Sequence, residues 1–136
     1  MFNKRSILAT AILAMIATTG CDRYMSMRDT GSDDPVYSSQ QFDEIIHAAP
    51  LVMVKFGAPW CGPCRRIDEE LPNVTGSVKV VSINVDRNPE LSSQFRIQGI
   101  PTMILFRDGE KVASQSGYSS AEELSSWVAK YEANAS

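Results

Sequence analysis

Apolar and polar positions change rhythm in blocks from Val36 to the end of this 136-residue chain. Phe42, Ile45 and Ile46 recur at helical spacing behind a serine able to cap, which predicts a helix over 39–48. Residues 51–56 are apolar apart from Lys55, the pattern of a strand buried on both faces. A helix is expected from Cys61 to about Leu71, stopped by Pro72. Residues 78–85 alternate as a strand, and Pro89 suits the first turn of a short helix reaching Phe95. Residues 102–106 and 111–115 flank Arg107-Asp108-Gly109-Glu110, a hairpin pattern with an Asp-Gly turn. A last helix opens at Ser119 or Ser120; Ser119 with Glu122 makes a capping box, and Leu124, Trp127, Val128 and Tyr131 form the apolar face. The order helix, strand, helix, strand, helix, hairpin, helix predicts an α/β domain, a central mixed sheet with helices on both faces.

The start of the chain departs from this rhythm. Lys4 and Arg5 precede an uncharged apolar stretch, 7–17, and then Thr18-Thr19-Gly20-Cys21, the layout of a secretory signal peptide over 1–20. The stretch falls short of the roughly 20 apolar residues of a transmembrane helix. Its end resembles the bacterial lipobox, although the usual leucine three residues before the cysteine is absent. That resemblance implies that Cys21 is acylated and begins the mature protein, and that the chain is lipid-anchored in a bacterial envelope, facing the periplasm or cell exterior. Asp22 directly after it suggests inner-membrane retention where sorting follows the enteric pattern. Residues 21–35 lack periodicity and read as a tether, leaving 36–136 as one domain. Removing Lys4 and Arg5 with the signal takes the formal net charge from −3 to −5. With no basic run, nucleic acid is not an expected partner.

Trp60-Cys61-Gly62-Pro63-Cys64 carries the chemistry. One thiol can attack a foreign disulfide while its neighbour, one helical turn on, resolves the mixed disulfide. A strand ending before Cys61 and a helix starting at it place that sulfur at a helix N-terminus, which favours a thiolate. Half of a zinc site is the bland alternative. The other cysteine, Cys21, and the single histidine, His47, supply no second pair at ligand spacing, so no metal is expected. A structural disulfide that never turns over is the other alternative.

With these residues, the chain resembles a thioredoxin from about Val36 to Ala133. Gly99-Ile100-Pro101-Thr102, residues 84–89, the Asp-Gly hairpin and Gly117 match as well. The resemblance implies that Cys61 is the attacking nucleophile and Cys64 the resolving thiol, with Gly62 and Pro63 forming the loop between them. Pro101 would be cis, and Trp60, Gly99, Ile100, Pro101 and Gly117 would border a groove for substrate, although Trp60 and Ile100 also suit plain packing. No cofactor is implied. The expected partners are proteins with disulfides and a membrane electron donor, and the expected state is a monomer.

The implied activity is reduction of protein disulfides outside the cytoplasm, since Gly62-Pro63 resembles reducing members more than oxidising ones. A dedicated cytochrome c maturation reductant is one alternative, although those relatives usually carry an insertion absent here. A non-catalytic peptide-binding module is another. Two departures stand out: the stretch from Cys64 to Asn84 is some four residues shorter than usual, with Glu69 in place of a kinking proline. Lys55 occupies the position of a buried aspartate, and the lysine usual on the neighbouring strand is Ser82. Asp68, one turn after Cys64, can rebuild the ion pair with its charges exchanged, with Asp68 as base and Lys55 favouring the Cys64 thiolate. Otherwise Lys55 snorkels to solvent and Asp68 is a surface charge.

Overall fold

The computed structural model describes residues 34–133. The expected signal peptide, the expected lipidation at Cys21 and most of the expected tether lie outside the described residues. Strand β1 (Leu51–Gly57) is central in a four-stranded sheet whose order is β2-β1-β3-β4. β2 (Lys79–Asn84) runs parallel to β1, whereas β3 (Thr102–Arg107) and β4 (Glu110–Ser116) complete an antiparallel side. This is the expected mixed sheet with helices on both faces.

Every residue of β1 is buried. Because successive side chains point to opposite faces, Val52, Val54 and Phe56 join one core with Phe42 and Ile46 of α1 (Ser39–Ile46), Leu91 of α3 (Pro89–Gln94), Ile104 and Phe106. Leu51 and Met53 join the other core with Ile67 of α2 (Gly62–Glu70), Met103, Leu105, and Leu124 and Val128 of α4 (Ala121–Glu132). Lys55 continues this second set and is therefore aimed at α2. Phe95 closes the first core, its ring 5.1 Å from Phe42, 5.9 Å from Phe56 and 5.5 Å from Phe106.

Asp108 (φ 48°) and Gly109 (φ 83°) both take left-handed backbone, the form of two-residue turn that matches strand twist. The space beside Gly109 is filled by His47: a Cβ there would fall 2.0 Å from Nε2 of that ring. α2 ends at Glu70, and Pro72 sits in a single 3-10 turn, Leu71–Asn73, because it has no N–H with which to continue the α-helical ladder. Of the stretch expected as tether, Asp34 and Pro35 are described, and both are fastened. Asn84 Nδ2 donates to Asp34 Oδ2 at 2.6 Å, and buried Asn88 donates to the Pro35 carbonyl at 3.0 Å while accepting from Tyr37 N at 2.7 Å.

The capping box of α4 is Ser120 with Glu123, one residue beyond the expected Ser119 and Glu122. The register is set from outside the helix. Glu70 Oε2 accepts the Ala121 N–H at 2.9 Å, making Ala121 the first helical residue, while Ser119 Oγ takes a 3.3 Å hydrogen bond from Gln115. Ser120→Ala is expected to cost about 1 kcal/mol in urea unfolding, and Ser119→Ala no more than about 0.5 kcal/mol; the reverse ranking would put the cap at Ser119.

Candidate active site

The N-cap of α2 is Cys61, in extended backbone (φ −83°, ψ 110°), with its Sγ accepting the Cys64 N–H at 3.2 Å. A side chain at this position meets the unpaired N–H groups of the first turn, and here the cap atom is the reactive sulfur. Pro63 fits that turn because its missing N–H would have had no helical partner. Cys61 and Cys64 form a disulfide, Cα to Cα 5.2 Å. The two sulfurs have different surroundings. Cys64 is 1% exposed and faces the sheet, whereas Cys61, 5% exposed, has its Sγ 3.9 Å from the carbonyl oxygen of Ile100.

The segment carrying Ile100 reaches that sulfur and is itself held by its neighbours. The Ile100–Pro101 peptide is cis, and the Gly117 N–H donates to the Pro101 carbonyl at 2.8 Å. Gly117 has φ +94°, a backbone that favours glycine. Thr102 Oγ1 donates to the Gly99 carbonyl at 2.6 Å and lies 2.9 Å from Ser116 Oγ, tying the start of β3 to the end of β4. Ile100 packs on Ala58, Cys61 and Cys64. Trp60 is 69% exposed, which rules out a core role for its ring, and its indole N–H donates to Asp86 Oδ2 at 2.7 Å. Gly62 and Pro63 thus lie between the two cysteines, Trp60 directly precedes Cys61, and Ile100 packs on the cysteine cluster, with Gly99, Pro101 and Gly117 joined to that segment by the chain or by a hydrogen bond.

Beneath the disulfide lies Lys55. Its Nζ donates to Asp68 Oδ1 across the gap between β1 and α2, so Lys55 does not snorkel to solvent. The two sit where side chains from a strand and a helix one turn past Cys64 meet. Gly57 makes room for them: a Cβ there would fall 3.1 Å from Lys55 Cε and 3.2 Å from Cys64 Sγ. Lys55, Gly57, Arg65, Asp68, Ser82 and Asp34 help line a cleft of about 350 Å³. Among the described residues no three His, Cys, Asp or Glu side chains gather as a metal site.

The Thioredoxin family model matches residues 35–130. The chain belongs to the thioredoxin family. Thioredoxin from Synechocystis sp. is 40% identical over 105 residues, covering 74% of this chain and 98% of that one. Thioredoxin 1 from Synechococcus elongatus is 44% identical over 73 residues, 51% of this chain and 68% of that one. Among solved structures, a mutant thioredoxin from Halobacterium salinarum superposes with a TM-score of 0.67 at 29% identity, covering 74% of this chain and 96% of that one. Chloroplastic thioredoxin z gives 0.65 at 34% identity, covering 78% and 100%. A dithiol pair that closes to a disulfide in this fold makes the chain a thiol–disulfide oxidoreductase that acts on protein disulfides.

Two residues of this thioredoxin site escaped the sequence reading. Asp86, which holds Trp60, lies 26 positions away, within the matching stretch 84–89, but nothing local to it pointed to the indole. Gly57 had one: a glycine ending a buried strand marks a close approach. Gly57→Ala is expected to wedge Lys55 from Cys64, lowering stability by about 1–3 kcal/mol in urea unfolding and slowing insulin-disulfide reduction. Unchanged values for both would mean the gap closes without displacing either side chain.

Proposed function

We propose that this thioredoxin-family protein is an envelope protein-disulfide reductase, anchored to a membrane by lipid on Cys21 and facing the periplasm or cell exterior. The observation that carries the redox part is the asymmetry of the two sulfurs: Cys61 is the N-cap of a helix with its Sγ near the Ile100 carbonyl, and Cys64, 1% exposed, lies against Gly57 of the sheet. In the reduced protein the Cys61 thiolate attacks a client disulfide. A Cys61–client S–S bond forms as the client's own S–S bond breaks, and the departing client sulfur takes a proton from water. Cys64 then attacks Cys61 Sγ, the second client sulfur leaves as a thiol, and the Cys61–Cys64 disulfide re-forms. The client gains two electrons and two protons, and the dithiol loses them.

The client backbone adds as a short strand beside residues 99–101, between Trp60 and Gly117. Gly62-Pro63 supports the reducing direction. A location outside the cytoplasm requires a membrane electron donor protein to return the pair to its dithiol. The charged start, apolar stretch and Thr19-Gly20-Cys21 support the anchor. The protein acts as a monomer in this reading.

Full-length Cys64→Ser is expected to accumulate mixed disulfides through Cys61, and Cys61→Ser none, on non-reducing gels of intact cells. Traps on Cys61→Ser alone would reverse the two roles. Mass spectrometry of the mature protein is expected to find an acylated Cys21 as its first residue; an unmodified N-terminus downstream of Cys21 would remove the anchor. Thiol trapping in intact cells is expected to find Cys61 and Cys64 mostly reduced, and a mostly oxidised pair would overturn the reductase direction.

A further inference from the structure

Thiols aside, Lys55 is the one ionisable side chain that is buried among the described residues, and the exchange steps above do not use it. An ammonium taken out of water costs several kcal/mol, and an apolar side chain at the same place would carry no such cost. Its partner does not share the burial: the Lys55 side chain is 6% exposed and that of Asp68 48%. Water screens the carboxylate more than the ammonium, so the field reaching the interior beside this pair is net positive. On that interior side lies Cys64, whose Sγ abuts the same Gly57 gap as Lys55 Cε.

The other charged groups lining the cleft are Arg65 of α2 and Asp34 of the entering segment, both at its exposed rim. The residues paired with Lys55 on the adjoining strands, Ser82 of β2 and Met103 of β3, are uncharged. Among the described residues, no carboxylate on an adjoining strand is paired with Lys55.

We propose that the Lys55 ammonium promotes ionisation of Cys64, and that Asp68 acts on Cys64 only through Lys55, as a positioning residue that tempers the charge. The inference rests on Cys64 being the resolving thiol. In the Cys61–client mixed disulfide, the Cys64 thiol gives its proton to solvent water, and the thiolate forms beside the ammonium. It attacks Cys61 Sγ, the Cys61–client bond breaks, and the client thiolate takes a proton from water. In this proposal Asp68 takes a different part from the base that its spacing from Cys64 suggested.

The two substitutions must act in opposite directions. In the full chain carrying Cys61→Ser, the Cys64 Cβ is followed by carbon-13 NMR against pH. Lys55→Met is expected to raise the midpoint by about one pH unit, a tenfold loss of thiolate at a given pH. Asp68→Asn is expected to lower the midpoint, and Lys55→Arg to restore it close to the starting value. The Asp68→Asn effect should vanish when Lys55→Met is also present, since the carboxylate then has no charge to temper. A Lys55→Met midpoint that stays in place overturns the proposal. So does an Asp68→Asn midpoint that stays or rises, and so does slower resolution by Asp68→Asn below the midpoint, where more thiolate should speed it, since that slowing is the outcome for a carboxylate base. Loosened packing would move both variants the same way, and Asp68→Asn reads the sign even if Lys55→Met fails to fold. The Cys64→Ser trap tests the thiol roles separately, so either reading can fail alone.

Discussion

Strand β1 is hydrogen-bonded along both edges and packed on both faces, and that double enclosure positions everything that reacts. Val52, Val54 and Phe56 are clamped by α1 and α3, Leu51 and Met53 by α2 and α4. A strand held this way cannot rotate a side chain to the other face without emptying one core into the other. The chain leaves β1 at Gly57 and reaches Cys61 within four residues, so the rigidity of the strand passes to the dithiol. Each fully buried Val, Phe or Met side chain on β1 adds about 1.5–3 kcal/mol of transfer free energy. The core is thus also the frame of the site.

The same alternation that divides the core into two halves aims Lys55 at α2. On that helix, Cys64, Ile67 and Asp68 lie on neighbouring turns of the inner side: Ile67 enters the core, Cys64 faces the sheet, and Asp68 reaches the rim. A strand of period two and a helix of period 3.6 therefore meet at one place where a cation, a carboxylate and a sulfur come together. Gly57 keeps that place open, since any side chain there would occupy the contact.

The departures from the thioredoxin pattern have local physical accounts. Without a proline at Glu69, α2 keeps an unbroken ladder to Glu70 before the 3-10 turn. Glu70 then links α2 to the far end of the site. Its carboxylate accepts from Tyr118 Oη at 3.0 Å and from Ala121 N at 2.9 Å, and Arg66 stacks on the Tyr118 ring at 4.2 Å. The hydrogen bond to Glu70 raises the pKa of the Tyr118 phenol, because losing that proton would set two negative charges side by side. The loop that carries Gly117 is thereby tied to the helix that carries the cysteines.

The order of elements, the two-faced strand, the Asp-Gly turn and the dithiol were legible in the chain because each follows from neighbours in sequence: period, capping chemistry, a left-handed turn, two thiols one helical turn apart. The isolated Lys55 in an apolar strand announced a need for a partner, and the spacing of Asp68 from Cys64 pointed to one. Contacts made across the fold were not legible. The capping box of α4 falls at Ser120 and Glu123 instead of Ser119 and Glu122 because Glu70, 51 positions away, holds Ala121 N. Trp60 stands exposed because Asp86 holds its indole, and the last residues expected as tether are fastened by Asn84 and Asn88. Local pattern reports what the backbone does within a few residues. Which distant side chain satisfies a given N–H, and how deeply a charge is buried, is decided only when packing brings remote segments within hydrogen-bond range.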